Sequence, residues 1–447
     1  MKSKISLSIV IIIIFSLFNI SYATDIKNIQ TGNSEQTNPP EVFAESAILL
    51  DIDSNKILYE KNSKKVMYPA STTKLLTAIL TVEKFPDLSQ KVNVSYYAVN
   101  SVPYSYATAH LVTGEQISLK DLLYALLVPS ANDAAYVLAQ FVANSGNNYP
   151  VDSSDASKLA FENSISTFSQ MMNSKAKELG CTNTNFINPN GIHDENHYTT
   201  AYDLMLIGRF AYNNSVLRPI CKTTEYTLEN TNKYTNQPRK LETTNDLISS
   251  DEKGFYPYAN GLKTGFTDPA QSCIIASASK DNRNLVAIIL HSEETKEEDK
   301  TRESDCKRLF EYGFNNFSYA ILAGENSIVQ NMEIFNGSSK TRKLDVLCSK
   351  ELKTLIVHDQ IIDATPEITI NKKFAPIAKG EVLGTITYNI NGETFTSDLI
   401  AEHDVESIDY LFYIGIIALV FLIFLIIFIR IRKKTRKKKR TKKPNHF

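Results

Sequence analysis

Pro69-Ala70-Ser71-Thr72-Thr73-Lys74-Leu75-Leu76-Thr77 is the most informative run in this chain. Pro69 ends extended chain, and Ser71 opens a helix that continues through Ala78, Ile79, Leu80 and Val82, apolar on nearly all faces. A helix of that kind lies in a core. Ser71 and Lys74 are three apart, so their hydroxyl and amine share one side, one turn from each other. That is the spacing a serine nucleophile needs from a lysine base. Apolar surroundings disfavour the ammonium of Lys74 and let the amine accept a proton. Ser174/Lys177, Ser250/Lys253, Ser277/Lys280 and Ser304/Lys307 repeat the spacing without that context. The structural alternative is a helix start with a snorkelling lysine.

Upstream, Ser46-Ala47-Ile48-Leu49-Leu50-Asp51-Ile52 and Ile57-Leu58-Tyr59 read as a hairpin around Asp53-Ser54-Asn55-Lys56. Downstream, Ser118 caps a helix from Leu119 to Leu127 that Pro129 stops, and Asp133 is expected to cap the next, through Ala134, Val137, Leu138 and Phe141. Ser130, Ala131 and Asn132 then occupy a tight turn that presents a hydroxyl and an amide. A plain connecting turn has the same composition, and Ser145-Gly146-Asn147 repeats the spacing. An Asn- and Ser-rich loop over 143–156 precedes a long amphipathic helix through Phe168, Met172, Ala176 and Leu179, which stops at Gly180. Irregular chain is expected from there to about residue 258. Strands follow at Leu262 to Phe266, Cys273 to Ala278 and Leu285 to His291. Helices between early and late strands predict an α/β domain whose sheet joins both ends of the segment.

Lys263-Thr264-Gly265, which occurs once, opens the first of these late strands. On a strand beside a site, the lysine can hold a carboxylate and the threonine can hydrogen-bond it. The glycine lets substrate lie against the backbone. An exposed edge-strand lysine is the bland alternative.

The 447 residues suffice for two or three domains. A net charge of −1 hides an uneven distribution: Lys2 and Lys4 precede an apolar run, and eleven Lys and Arg lie beyond residue 409. With those thirteen set aside, residues 24–409 hold 35 basic against 49 acidic side chains, which argues against nucleic acid as a partner. Residues 1–23, ending in Ser21-Tyr22-Ala23, read as a signal peptide, with an uncleaved anchor as the alternative. Residues 24–40 read as a linker. Tyr410 to Ile429 carry no charge, and at about 1.5 Å per residue they cross a hydrocarbon core of about 30 Å. Arg430, Arg432, Lys433 and the basic residues after them form a stop-transfer run, placing 430–447 in the cytoplasm. Near residue 318 the composition shifts to short alternating runs with an Asn391-Gly392 turn, a small all-β domain over 318–405. Cys181, Cys221, Cys273, Cys306 and Cys348 show no CxxC pair and no His at metal spacing, so no metal is expected and buried free thiols are.

The order Ser-x-x-Lys, Ser-x-Asn, Lys-Thr-Gly, in helix, turn and strand contexts, resembles the serine D-Ala-D-Ala carboxypeptidases, the low-molecular-weight penicillin-binding proteins of the β-lactamase/transpeptidase-like superfamily. The resemblance runs from about Glu45 to Asn315. It includes Ser130-Ala131-Asn132-Asp133-Ala134-Ala135, Phe186-Ile187-Asn188-Pro189-Asn190-Gly191 and His197-Tyr198-Thr199-Thr200-Ala201-Tyr202-Asp203-Leu204. Ala375-Pro376-Ile377-Ala378-Lys379-Gly380 is similar to part of the family's C-terminal domain. Gln271 departs from it, standing where the family usually has glycine, and the 143–156 loop looks long. The resemblance implies helices around a mainly antiparallel sheet over 41–317.

It also implies a mechanism without cofactor: Ser71 attacks a peptidoglycan stem peptide ending in D-Ala-D-Ala, Lys74 takes its proton, and Ser130 relays a proton to the leaving D-Ala. Asn132 would hold the substrate amide, and Lys263, Thr264 and Gly265 would form the substrate-binding strand. The N–H groups of Ser71 and Phe266 would be the oxyanion hole. β-Lactams would acylate Ser71 and leave slowly. Three other readings compete with this one. A serine β-lactamase shares the motifs, but Glu178, Glu195, Glu225, Glu229 and Glu242 lack the context of a deacylation base. A non-catalytic wall-binding or β-lactam-sensing module would need more than 18 residues after the span to reach cytoplasmic machinery. A Ser-His-Asp triad through His193 or His197 lacks a Gly-x-Ser-x-Gly elbow.

Overall fold

The structure is a computed structural model that describes residues 38–293, 301–358, 360 and 362–440. The expected signal peptide, most of the expected linker and the last seven residues of the tail lie outside them. The described residues form two compact units, one within 38–318 together with 355–358, the other within 319–354 and from 360 to 440.

The first unit is built on a five-stranded antiparallel sheet. Its spatial order is Lys56–Lys61, Ser46–Asp51, Arg283–Ser292, Gln271–Lys280, Ala259–Thr267. The earliest and latest strands therefore meet, with Leu49 opposite Ala287. Successive side chains leave opposite faces. Ile48, Leu50, Ile275 and Ile288 pack with Leu75, Leu76 and Ile79 of the helix Lys74–Lys84 on one face. Ala47, Leu49, Ile274 and Ile289 pack with Leu309 and Phe310 of the helix Arg302–Asn316 on the other. Covered on both faces, these strands carry near-continuous apolar runs, as the sequence shows.

Two local expectations need correction. The stretch expected to be irregular holds a helix, Ala201–Asn213, capped by Thr200, whose side chain accepts from the Asp203 N–H. Gly208 in its middle weakens the sequence signal. The packing requires that glycine: a Cβ there would sit 2.8 Å from Cγ2 of Ile275 on the sheet. Asp133 is not a cap either. The helix Asn132–Ala143 starts after Ala131, which makes no side-chain capping bond. The Asp133 carboxylate serves a neighbouring loop instead.

The second unit is a five-stranded antiparallel sheet in the order Ile328–Glu333, Lys343–Cys348, Glu393–Ala401, Val382–Ile390, Glu367–Ile370. Leu344, Val346, Leu383, Ile386 and Leu399 form its core. Asn391 (φ 50°) and Gly392 (φ 84°) join the two longest strands, both in the left-handed region that a tight two-residue hairpin demands. The helix Tyr410–Arg440 follows, with its apolar stretch exposed throughout. All five cysteines are free and buried.

Candidate active site

The start of the first core helix is shaped by local hydrogen bonds. Ala70–Thr73 forms a 3-10 turn before the helix Lys74–Lys84, and Ala70 takes a positive φ of 47°. The hydroxyl of Thr72 donates to the carbonyl of Pro69 at 2.7 Å, and that of Thr73 to the carbonyl of Ala70 at 2.8 Å. Thr72, Thr73 and Lys74 are buried, while Ser71 keeps partial exposure. The turn thus presents one hydroxyl outward over a buried amine.

Lys74 Nζ has three contacts: Ser71 Oγ at 2.8 Å, Asn132 Oδ1 at 2.9 Å and the carbonyl oxygen of Asn190 at 2.7 Å. The Asn132 amide is oriented by its other end, since Nδ2 donates to the Ala107 carbonyl at 2.9 Å. Asn132 Oδ1 and the Asn190 carbonyl can only accept, so they take two N–H bonds from the amine. The third direction points at the Ser71 hydroxyl. Burial holds the Lys74 pKa well below the usual lysine range, the nearby charge of Lys263 lowers it further, and Asp133 opposes. A neutral amine in this cage keeps two N–H groups for its acceptors and turns its lone pair toward Ser71 Oγ–H.

The strand Ala259–Thr267 closes the other side. A Cβ on Gly265 would lie 2.8 Å from the Ser71 nitrogen and 3.0 Å from the Thr72 nitrogen, so only a bare backbone fits against this turn. Lys263 is buried, and its Nζ donates to the carbonyl of Thr264 at 2.9 Å. Burial, reinforced by Arg302, pulls its pKa down to about 7. Thr264 Oγ1 meets Thr244 Oγ1 at 2.5 Å, and the Thr244 N–H donates to the carbonyl of Val128 at 3.2 Å. Thr244 thereby stitches the strand to the turn that carries Ser130. Ser130 is buried in that turn at φ 66°, two residues before Asn132. Phe266 follows Gly265 and is 44% exposed.

Ser71, Lys74, Asn132 and Gly265 are therefore joined by direct contact or close approach. Lys263 and Thr264 belong to the same strand as Gly265, and Ser130 reaches the group through its turn. Sequence reasoning missed three contributors. The Asn190 carbonyl is carried by the Phe186–Gly191 segment, which is pinned by Thr77 Oγ1 donating to the Pro189 carbonyl at 2.6 Å. A backbone carbonyl leaves no trace in residue type. Arg302 reaches the Gly265 carbonyl with Nη1 at 3.4 Å from a helix 37 residues further on, a placement no local motif encodes. Asp133 accepts from the N–H groups of Ala109 at 3.0 Å, Leu111 at 3.0 Å and Ala134 at 2.9 Å.

The histidines serve the scaffold. His197 Nδ1 accepts from the Ile187 N–H at 3.2 Å, which assigns the proton to Nε2, 2.9 Å from Thr73 Oγ1. Burial drives its pKa to about 3, so the ring is neutral. His193 packs edge-on against Tyr68, with ring centroids 4.7 Å apart. Gln271, in the position where glycine was expected from the resemblance, adopts φ 52° and donates from Nε2 to the Asp268 carbonyl at 2.5 Å.

A partly exposed serine over a buried lysine, faced by a bare strand, is the kind of arrangement serine acyl-transfer enzymes use. Comparison with known proteins is specific. The D-alanyl-D-alanine carboxypeptidase family matches residues 33–163 and 160–294, and the penicillin-binding protein 5 C-terminal domain matches residues 317–407. The D-alanyl-D-alanine carboxypeptidase DacF of Bacillus subtilis is 30% identical over 379 residues, 83% of this chain and 88% of that protein. DacA of Escherichia coli K12 is 26% identical over 364 residues, 79% of this chain and 81% of that one. The Streptomyces K15 DD-transpeptidase structure superposes with a TM-score of 0.53 at 30% identity, covering 62% of this chain and 99% of that one. The penicillin-binding protein 5 structure from Haemophilus influenzae, at 24% identity and a TM-score of 0.58, covers 83% of this chain and all of that one, and shares the fold. This chain belongs to the D-alanyl-D-alanine carboxypeptidase family and is a serine peptidase.

Proposed function

We propose that Ser71 is the nucleophile with which this carboxypeptidase removes the terminal D-Ala from peptidoglycan stem pentapeptides. Ser71 Oγ attacks the carbonyl of the penultimate D-Ala while Lys74 Nζ takes the hydroxyl proton, forming the Oγ–C bond. The C–N bond then breaks, and Ser130 passes a proton to the nitrogen of the departing D-Ala. Asn132 holds the substrate amide. Lys263, Thr264 and Arg302 hold the terminal carboxylate, and Gly265 lets substrate lie along the strand. The N–H groups of Ser71 and Phe266 receive the oxyanion. Water hydrolyses the acyl-enzyme, and β-lactams acylate the same oxygen. The observation that carries the reading is the 2.8 Å contact of Lys74 Nζ with Ser71 Oγ, its other two contacts being to fixed acceptors.

The exported unit is, in this reading, held at the cytoplasmic membrane by Tyr410 to Ile429, with the basic tail inside. Support comes from the uncharged length of that segment and the cations that follow it. Intact-mass analysis of chain treated with penicillin, followed by peptide mapping, tests the nucleophile. One adduct on Ser71, absent in Ser71→Ala together with D-Ala release, is the expected result. An adduct elsewhere, or D-Ala release by Ser71→Ala, overturns the assignment.

A further inference from the structure

Two phenylalanines in the second unit lie outside its core. Phe335 and Phe374 are 61% and 66% exposed, with ring centroids 5.4 Å apart. They are held as a pair by backbone: the Phe335 N–H donates to the Lys373 carbonyl at 2.8 Å, and the Ala375 N–H to the Phe335 carbonyl at 2.9 Å. Their neighbours Ile334 and Ile377 are buried in the core, so the chain turns the two rings outward while satisfying its interior with other side chains. Single exposed apolar residues need no explanation; adjacent aromatic rings on a rigid frame do.

Their place in the fold says what covers them. Asn336, next to Phe335, accepts the Ile408 N–H at 2.9 Å, and Gly337 pairs with Ser407. The chain then turns at once, the Tyr410 N–H donating to the Ile408 carbonyl at 3.0 Å, and the apolar helix begins at Tyr410. Phe335 is thus one residue from a bridged segment that ends two residues before the helix. Consecutive Cα atoms are about 3.8 Å apart, so this path places the Phe335 backbone within roughly 15 Å of the helix start. The headgroup layer on each side of a bilayer is about 5–8 Å deep, and apolar side chains of surface-bound segments, Phe among them, reach about 5–10 Å into its boundary with the acyl chains. Of the backbone neighbours, Lys373 suits a phosphate group, while Arg342 pairs with Glu333 at 3.8 Å. Glu406 and Asp409 lie on the same edge, so the rings rather than net charge carry the contact.

We infer that Phe335 and Phe374 form a membrane-docking patch that inserts into the lipid headgroup layer around the chain's own C-terminal helix. This rests on the reading of Tyr410 to Ile429 as a span. Two inserted rings beside one span give the β-unit a fixed side toward the bilayer, where a span alone would leave it free to swivel.

The chain contains no tryptophan, so each engineered one is a unique fluorophore. The full chain carrying Phe335→Trp, Phe374→Trp, Ile328→Trp or Leu419→Trp is reconstituted in phosphatidylcholine/phosphatidylglycerol vesicles, with and without brominated acyl chains. Ile328 is exposed at the far end of the strand Ile328–Glu333, roughly 20 Å along it from Phe335. Quenching and a blue shift at 335, 374 and 419, with none at 328, is the expected result. Quenching at 419 with 335 and 374 behaving like 328 overturns the docking patch and leaves the span standing. Absence of quenching at 419 overturns the span, and the patch with it.

Discussion

The amine of Lys74 stands 2.8 Å from the hydroxyl of Ser71, held there by the Asn132 amide oxygen and the Asn190 carbonyl. Positioned bases contribute about 10²–10⁴-fold to acyl transfer. Lys74→Met keeps the length and apolar fit of the side chain but removes the lone pair. Acylation by a fluorescent penicillin is expected to slow by about that factor. Stability should change by no more than about 3 kcal/mol, because two acceptors lose a donor while a buried amine is removed. Wild-type acylation rates in a folded Lys74→Met chain would remove Lys74 from the role of base.

In the proposed mechanism the two buried lysines set opposite limbs of the pH profile. Lys74, lowered by burial, must be neutral to act, so activity falls as acid protonates it. Lys263 must be charged to hold a carboxylate, and it loses its proton as pH rises through about 7. The kcat/KM profile reports the free enzyme and should therefore decline above about pH 7. A bound substrate carboxylate favours the charged form of Lys263, so the basic limb of kcat should lie at higher pH. Matching basic limbs in the two profiles would count against Lys263 as the carboxylate anchor.

Gly265 and Gly191 both face the Ser71 turn, yet their alanine variants should fail differently. A Cβ at 265 lies 2.8 Å from the Ser71 nitrogen, a conflict relieved when strand and turn move apart by several tenths of an ångström. Misplacement by about 1 Å in a catalytic site costs about 10²-fold in rate, so this smaller shift should slow acylation by less than that. Gly265→Ala should fold with a modestly lowered melting temperature and acylate more slowly. At Gly191 the φ is +83° and a Cβ would lie 1.8 Å from the Ala70 carbonyl oxygen, a backbone clash with no room to relax. Gly191→Ala should lose stability by more than about 2 kcal/mol, read by denaturant titration.

Much of this site was legible because its chemistry sits in side chains at fixed spacing. Ser71 and Lys74 lie one helical turn apart, and the Lys-Thr-Gly strand pairs in the sheet as its apolar run implies, with Gly265 opposite Cys273. The hairpin of Ser46–Asp51 and Lys56–Lys61 and the Asn391-Gly392 turn were likewise written in period-two patterns and turn residues. What escaped notice is non-local or carried by backbone. The helix Ala201–Asn213 hides behind Gly208, whose reason is a sheet residue 67 positions away, Ile275. The Asn190 carbonyl has no residue signature, and Arg302 arrives from the start of a helix 37 residues past Gly265. Asp133 reads as a helix cap by position, but its carboxylate found stronger demand in the unpaired amides of a loop.

That loop supplies the last prediction. Asp133 accepts the N–H groups of Ala109, Leu111 and Ala134, while the Ala107 carbonyl takes both the backbone N–H of Asn132 at 2.9 Å and its Nδ2. The carboxylate therefore straps the 107–111 segment over the residue that orients Lys74. Asp133→Ala strands three buried amides and should cost about 3–5 kcal/mol. Asp133→Asn keeps one acceptor oxygen and should fold with a lowered melting temperature. Its pH profile separates strap from bystander. Asp133 opposes the lowering of the Lys74 pKa, so removing its charge should move the acid limb of acylation to lower pH. A destabilised Asp133→Asn chain with an unmoved acid limb would confine this carboxylate to holding the loop.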